Sequence, residues 1–238
     1  MKKIFSAVLV LTVLSSFVFA ETPKWNFEAG AGYAYVSMGK VNDSLQDLKN
    51  VDPTSSLTKI SGGLDANINF MYQSLDFLKI GPRVGFTMAT KGSVTEAGDE
   101  YSYVPMLIPL EIGATINIAL KDMPFGIVLS GFGGYGMALV NNTRTADLGA
   151  SSITPVYYGG APVFDFMGGI YITPLALFEI NANIGYKIAN IPELKNTKAV
   201  KSGILEAAKD EQLHDLSNKA MPVDFSGINF KLGVSFKF

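Results

Sequence analysis

The stretch Ile228-Asn229-Phe230-Lys231-Leu232-Gly233-Val234-Ser235-Phe236-Lys237-Phe238 decides the reading of this chain. Ile, Phe, Leu, Val, Phe and Phe fall on every second position, and Asn, Lys, Gly, Ser and Lys lie between them. Strand side chains point alternately to opposite faces, so this segment has one wholly apolar face and one polar or small face.

Seven further segments repeat the pattern. Candidate strands run over Trp25–Val36, Ser61–Tyr72, Phe77–Thr90, Tyr103–Leu120, Phe125–Val140, Val163–Ile172 and Leu175–Ile188, with Asp224–Phe238 as the eighth. In the fourth, Ile108, Leu110, Ile112, Ala114, Ile116 and Ile118 oppose Glu111, Gly113, Thr115 and Asn117. The fifth is less regular, because Val128 and Phe132 join Gly126, Ser130, Gly134 and Gly136 on the polar side. The glycines from Gly131 to Gly136 lie mid-strand, where they relieve curvature or crowding rather than cradle a phosphate.

Connections alternate as sharply as side chains. Those after strands two, four and six are tight turns, whereas 37–60, 91–102, 141–162 and 189–223 are long. An up-and-down antiparallel barrel with both termini on one side has this alternation of short turns and long loops. The chain is 48% hydrophobic with a mean hydropathy of +0.25. Beyond the leader it has no apolar run of about 18 residues, so a helical membrane protein does not fit, whereas a transmembrane barrel spreads its lipid face over alternate positions. A secreted lipocalin-like barrel would put charge outside and large apolar groups within. Here the polar face is rich in Gly, Asn, Ser and Thr with few Lys or Glu, as suits a crowded interior.

The expected fold is therefore all-β, a transmembrane up-and-down barrel of eight strands, with a ten-stranded count left open if a hairpin lies in a long loop. Pro82 and Pro109 fall inside strands and cannot donate to a ladder, which predicts bulges there or a different start for strand four. Trp25, Tyr72, Tyr103, Tyr135 and Tyr186 are candidates for the aromatic girdles at the membrane surfaces.

The N-terminus carries Lys2 and Lys3, then an apolar stretch from Ile4 to Phe19 and Val18-Phe19-Ala20. That is the layout of a signal peptide, residues 1–20, cleaved before Glu21, leaving one barrel domain over 21–238. Losing Lys2 and Lys3 leaves 17 basic against 21 acidic residues, a formal charge of −4, which gives no reason to expect nucleic acid. There is no cysteine, so disulfides and thiol chemistry are excluded.

With the strands, turns and C-terminal segment in hand, the chain resembles the small eight-stranded bacterial outer-membrane barrels of the OmpA, OmpX and Opa type. The resemblance implies residence in the outer membrane among its lipids, with both termini periplasmic. It also implies that Phe230, Leu232, Val234, Phe236 and Phe238 form the C-terminal signal read by the barrel assembly machinery.

The charged residues of the polar faces, Glu28, Asp65, Arg83, Glu111, Asp165, Glu179, Lys187 and Lys231, should point into the lumen. Ionised groups in a narrow, low-dielectric interior must be paired. Arg83 with Glu111 or Glu179, and Lys231 with Glu28, are the expected partners. An eight-stranded interior is just wide enough for its own side chains, so this set reads first as a structural plug and second as a narrow ion path.

Enzymatic readings find little support. His214 is the only histidine; Asp215 and Ser217 are near it in sequence, but proximity does not make a catalytic array. Some barrels of this class modify lipids, which would need His214 beside a hydroxyl and a carboxylate at the membrane rim. Glu96, Asp99 and Glu100 match no calcium-loop spacing, and no cofactor or metal is expected.

The long loops hold the better prospects. Over Ala199–Asn218, Val200, Ile204, Leu205, Ala208, Leu213 and Leu216 recur at roughly helical spacing. This predicts an amphipathic helix over the barrel mouth, packed on Leu45 and Leu48 or offered to an extracellular ligand. The expected function is that of a small non-enzymatic barrel with a filled lumen, acting through its loops in adhesion, surface protection or envelope integrity; a low-conductance pore is the alternative.

Overall fold

The computed structural model describes residues 24–238 apart from 97–98, 122, 147–149 and 216–217, so the expected signal peptide over 1–20 lies outside the described residues. Eight long strands form the barrel: β1 (Trp25–Ala34), β2 (Gly63–Leu75), β3 (Leu78–Ala89), β4 (Asp99–Ala119), β5 (Phe125–Ala146), β6 (Val156–Leu175), β7 (Phe178–Ile188) and β8 (Gly227–Lys237). Each pairs antiparallel with its sequence neighbour, and β8 pairs β1 to close the ring. The ring holds eight strands, not ten.

The stagger of the ring follows from its register. One hydrogen-bonded row runs from Ala34 through Asn229, Gly185, Met167, Ser130, Thr115, Lys79 and Gln73. It returns to β1 at Lys24, whose carbonyl accepts from the Gln73 N–H at 2.6 Å. The row thus comes back ten residues from where it began. A stagger of ten over eight strands tilts each strand about 40° from the barrel axis and leaves an interior filled by side chains.

Alternation sorts the surfaces as the sequence implies. Leu232, Ile112 and Ile170 stand outside at 69%, 66% and 58% exposure, while Asp65, Asp165 and Ser235 are fully buried within. Burying charge and exposing large aliphatic side chains is the inverse of a water-soluble barrel. The solvent of the outer wall is a bilayer, and the chain is a transmembrane barrel of the outer-membrane type.

Pro82 and Pro109 produce no bulge. The β2–β3 ladder lapses where Phe70 faces Pro82 and Met71 faces Gly81, and the β3–β4 ladder lapses where Gly85 faces Pro109 and Phe86 faces Ile108. Register is the same on either side of each lapse, so the missing proline N–H interrupts pairing without an inserted residue. The irregularities that shift register lie at the turn ends, between Gln73 and Leu75 and between Phe178 and Ile180.

Strands β4, β5 and β6 are longer than their alternation suggested. They rise well past the others at the end bearing the long connections, here the loop end. Strand Gly92–Glu96 pairs with β4 there, Ser56–Thr58 pairs with that strand, and Ser151–Ile153 pairs with β5. On this wall the long connections fold into a cap.

Among the described residues the helix lies in the first long connection, not the last. Helix α1 (Gly39–Val51) buries Val41, Ser44 and Leu45. It ends at Asp52 before Pro53, which restricts the preceding residue to extended backbone. The last connection is instead built of short strands. Val200–Ser202 and Leu205–Ala207 make a hairpin whose tip holds Gly203 at φ +56°, in the left-handed region, which stops a helix between the two halves. Asn190–Ile191 pairs with Val223–Asp224, and Lys195–Asn196 pairs with Tyr158 and Tyr157 of β6. Leu216 and Ser217 lie outside the described residues.

Candidate functional site: the filled lumen and its cap

Among the described residues, nine charged side chains are buried in the lumen: Glu28, Asp65, Glu111, Asp165 and Glu179 against Lys79, Arg83, Lys187 and Lys231. Lys79 was absent from the set drawn from the sequence, although its alternation with Ile80 already pointed it inward. The nine sort into two layers.

The layer towards the turn end is built on Lys79. Its Nζ lies 3.0 Å from Glu28 and 3.6 Å from Glu179. Asn69 donates to Glu28 at 3.0 Å and Asn117 donates to Glu179 at 3.1 Å. Lys237, at the lip, comes within 4.0 Å of Glu179.

The layer towards the loop end is larger. Arg83 reaches Glu111 at 2.8 Å and Asp165 at 2.7 Å, and its guanidinium lies 4.0 Å over the Phe132 ring. Lys231 lies 2.8 Å from Asp65 and 3.3 Å from Asp165, and Lys187 is 2.7 Å from Asp65. Thr87 donates to Asp65 at 2.7 Å and accepts from Lys187 at 2.7 Å. Asn229 donates to Asp165 at 3.1 Å.

Register explains who meets whom. Arg83 and Glu111 are direct cross-strand neighbours. Lys231, Gly32 and Asp65 share one row, and the glycine between the two charges leaves the path open for their side chains. Lys231 therefore serves Asp65 and Asp165, not Glu28, and Arg83 serves Asp165 in addition to Glu111, not Glu179. Every charge has an opposite partner, the condition under which ionised groups persist in a low-dielectric interior.

Between the layers, Asn67, Asn69, Thr115, Ser130, Glu179, Asn181 and Asn183 line a cavity of about 30 Å³. A space of that size takes a water or two and nothing larger.

Above the second layer the lumen turns apolar. Leu107, Ala138, Ala161 and Val163 of the barrel wall belong to one buried cluster with Val41 and Leu45 of α1 and Ile191, Leu194, Leu213, Met221 and Phe225 of the last connection. Leu48 packs on its edge. Leu45, Leu48 and Leu213 thus meet as expected of a lid, though without a second helix. Tyr103 is fully buried within this cluster, so it belongs to the cap and not to a membrane girdle.

Polar anchors fix the cap. The Asn42 side chain donates to the Ile60 carbonyl and accepts the Ile60 N–H, both at 2.8 Å. Asn196 donates to the Ala208 carbonyl at 2.8 Å, and Ser226 Oγ accepts the Ala189 N–H at 3.0 Å. Arg144 donates to Tyr157 at 3.2 Å, and the Tyr103 hydroxyl donates to that of Tyr101 at 3.2 Å.

Other sequence candidates are placed as follows. His214 bridges Ala220 through the backbone, and its imidazole has no hydrogen bond or ion pair with a described residue. Asp215 accepts the Lys219 N–H at 3.0 Å, and Ser217 lies outside the described residues. Glu100 is paired with Lys91. Of the residues expected to form a C-terminal signal, Phe230, Leu232 and Phe236 face outward, and the Phe238 ring lies 6.1 Å from that of Phe70.

No protein-family model matches the chain, and no curated protein does. Among solved structures, it is similar to the outer membrane protein OprG from Pseudomonas aeruginosa at 12% identity and a TM-score of 0.45, over 91% of this chain and 97% of that one. It is similar to Neisserial surface protein A at 11% identity and a TM-score of 0.43, over 90% and 97% of the two chains. The outer membrane protease OmpT from Escherichia coli gives 9% identity and a TM-score of 0.44, over 91% and 94%.

Proposed function

We propose that this is a non-enzymatic protein of a bacterial outer membrane, closed to solutes, that works at the cell surface through its folded cap. The observation that carries this reading is the filling of the lumen from end to end. Two paired ionic layers are followed by an apolar core shared between barrel wall and loops. In this reading both termini are periplasmic, the loop end faces outward, and the assembly machinery reads β8. The work is adhesion, surface protection or envelope integrity, on a rigid barrel that holds its loops in one shape.

The outward surface of the cap includes Val51 at the end of α1 and Ile204 at the hairpin tip, 79% and 76% exposed. A strain carrying Val51→Asp with Ile204→Ser tests the reading, because neither change touches the cap core. Reduced attachment or reduced bile-salt resistance, at unchanged amounts of folded protein, supports a surface role. Loss of solute uptake with no change in either would contradict it.

The second reading is a low-conductance pore, favoured by the polar cavity between the ionic layers. It requires both the cap and the Arg83 layer to move aside.

A further inference from the structure

The outer wall is not equally tall all round. On β1, β7 and β8 the outward apolar residues end at Tyr35, Ile188 and Ile228, near the ends of those strands. On β4, β5 and β6 they continue. One hydrogen-bonded row passes outward through Tyr33, Leu64, Met88, Met106, Leu139 and Tyr158 before it meets a polar residue, Lys195. Tyr33, Leu64, Met88 and Tyr158 are each exposed, and Met106 and Leu139 partly so.

The stagger of the barrel makes that row a ramp. A row running from β1 to β8, β7 and onward returns lower on β1, so the same row climbs in the opposite sense, from β1 through β2 to β6. At a tilt of about 40° and a strand spacing of about 4.8 Å, it rises roughly 3 Å per strand, or about 16 Å from Tyr33 to Tyr158. Tyr135 lies on β5 four residues below Leu139, so this flank carries a second, higher tyrosine beyond an apolar interval. The ramp ends with Tyr158 beside the exposed Lys195, an aromatic and a cation side by side, which is how transmembrane segments mark the water boundary. The next outward residues up β5 are Asn141 and Thr143.

We propose that lipid covers this flank up to Tyr158 and Lys195. The occupant is acyl chain, because the ramp is continuous with the lipid-facing belt and carries no charge before Lys195. The barrel then leans, with its β4–β6 flank embedded deeper at the loop end than its β1–β8 flank, which is how a bilayer meets unequal apolar heights. The proposal rests on the membrane reading of the outer wall.

The chain has no cysteine, so single nitroxide labels can be placed without background. Leu139→Cys and Tyr158→Cys are labelled in the mature chain, reconstituted in phosphatidylcholine–phosphatidylglycerol vesicles. Leu232→Cys marks the middle of the belt and Lys201→Cys marks the aqueous hairpin. Collision rates with oxygen and with a water-soluble nickel complex report depth. The proposal expects position 139 to match 232, with oxygen favoured several-fold over nickel relative to 201, and position 158 to fall between. It is overturned if 139 and 158 both match 201. It is also overturned if spin–spin broadening at 139 disappears on dilution with unlabelled protein, since a second copy then covers the flank. If 232 itself matches 201, the chain is not inserted and the membrane reading falls with the proposal. Met137→Cys, one row below on β5, serves where Leu139→Cys fails to fold.

Discussion

Arg83 Nη2 stands 2.7 Å from Asp165 Oδ2, joining β3 to β6 across the lumen rather than along a ladder. The same guanidinium holds Glu111 on the adjacent strand at 2.8 Å. One side chain thus ties three strands of the ring, with a planar fork that a lysine lacks.

Replacing Arg83 with Met leaves two buried carboxylates without this partner. The expected loss is about 3–5 kcal/mol, the usual result of breaking a buried ion pair from one side. Arg83→Lys restores part of it, because a single ammonium reaches one carboxylate well but not both. Urea unfolding of the protein in lipid vesicles checks the order wild type, Lys, Met. A Met variant as stable as wild type would mean the layer is hydrated and loosely coupled.

Closure between β1 and β8 depends on Gly32. A Cβ there would lie 1.7 Å from the Phe230 carbonyl oxygen, which belongs to backbone and cannot step aside. At Gly30 the nearest atom is the Asn67 side-chain oxygen at 3.2 Å, which can. Gly32→Val should abolish the compact, heat-modifiable band on gels, and Gly30→Ala should keep it. Equal folding of the two would show that the seam is not tight at Gly32.

Leu213 is 1% exposed in the core that joins cap and barrel. Leu213→Asp puts an unpaired charge there, a change that costs several kcal/mol unless the segment unfolds. The expected outcome is rapid protease cleavage within 189–223, while the barrel keeps its gel mobility. Resistance equal to wild type would show that the last connection is held by its hydrogen bonds alone.

The barrel was legible because strands repeat every two residues and lipid tolerates no charge, so alternation in β8 or β4 names the inward face directly. The same rule sent Asp65, Asp165 and Lys187 inward. Their pairing was not legible, because partners depend on stagger, a property of the closed ring. Only the register shows Lys231 and Asp65 flanking Gly32. Pro82 and Pro109 misled for a related reason: a ladder can drop a bond without shifting. In the loops, Val41, Leu45 and Leu48 before Pro53 did carry the signal of α1. The apolar spacing from Val200 to Leu213 looked equally helical. Gly203 breaks it into a hairpin, whose apolar residues alternate instead of spiralling.

The most direct test of the closed lumen is single-channel recording of the refolded protein lacking residues 1–20 in a planar bilayer, beside Arg83→Ala and a deletion of Thr197–Lys219. Silence is expected from the wild type and from the deletion, because the ionic layers remain after the cap is cut. Reproducible conductance steps in the wild type, changed in size by Arg83→Ala, would contradict the account and make the charged interior a filter.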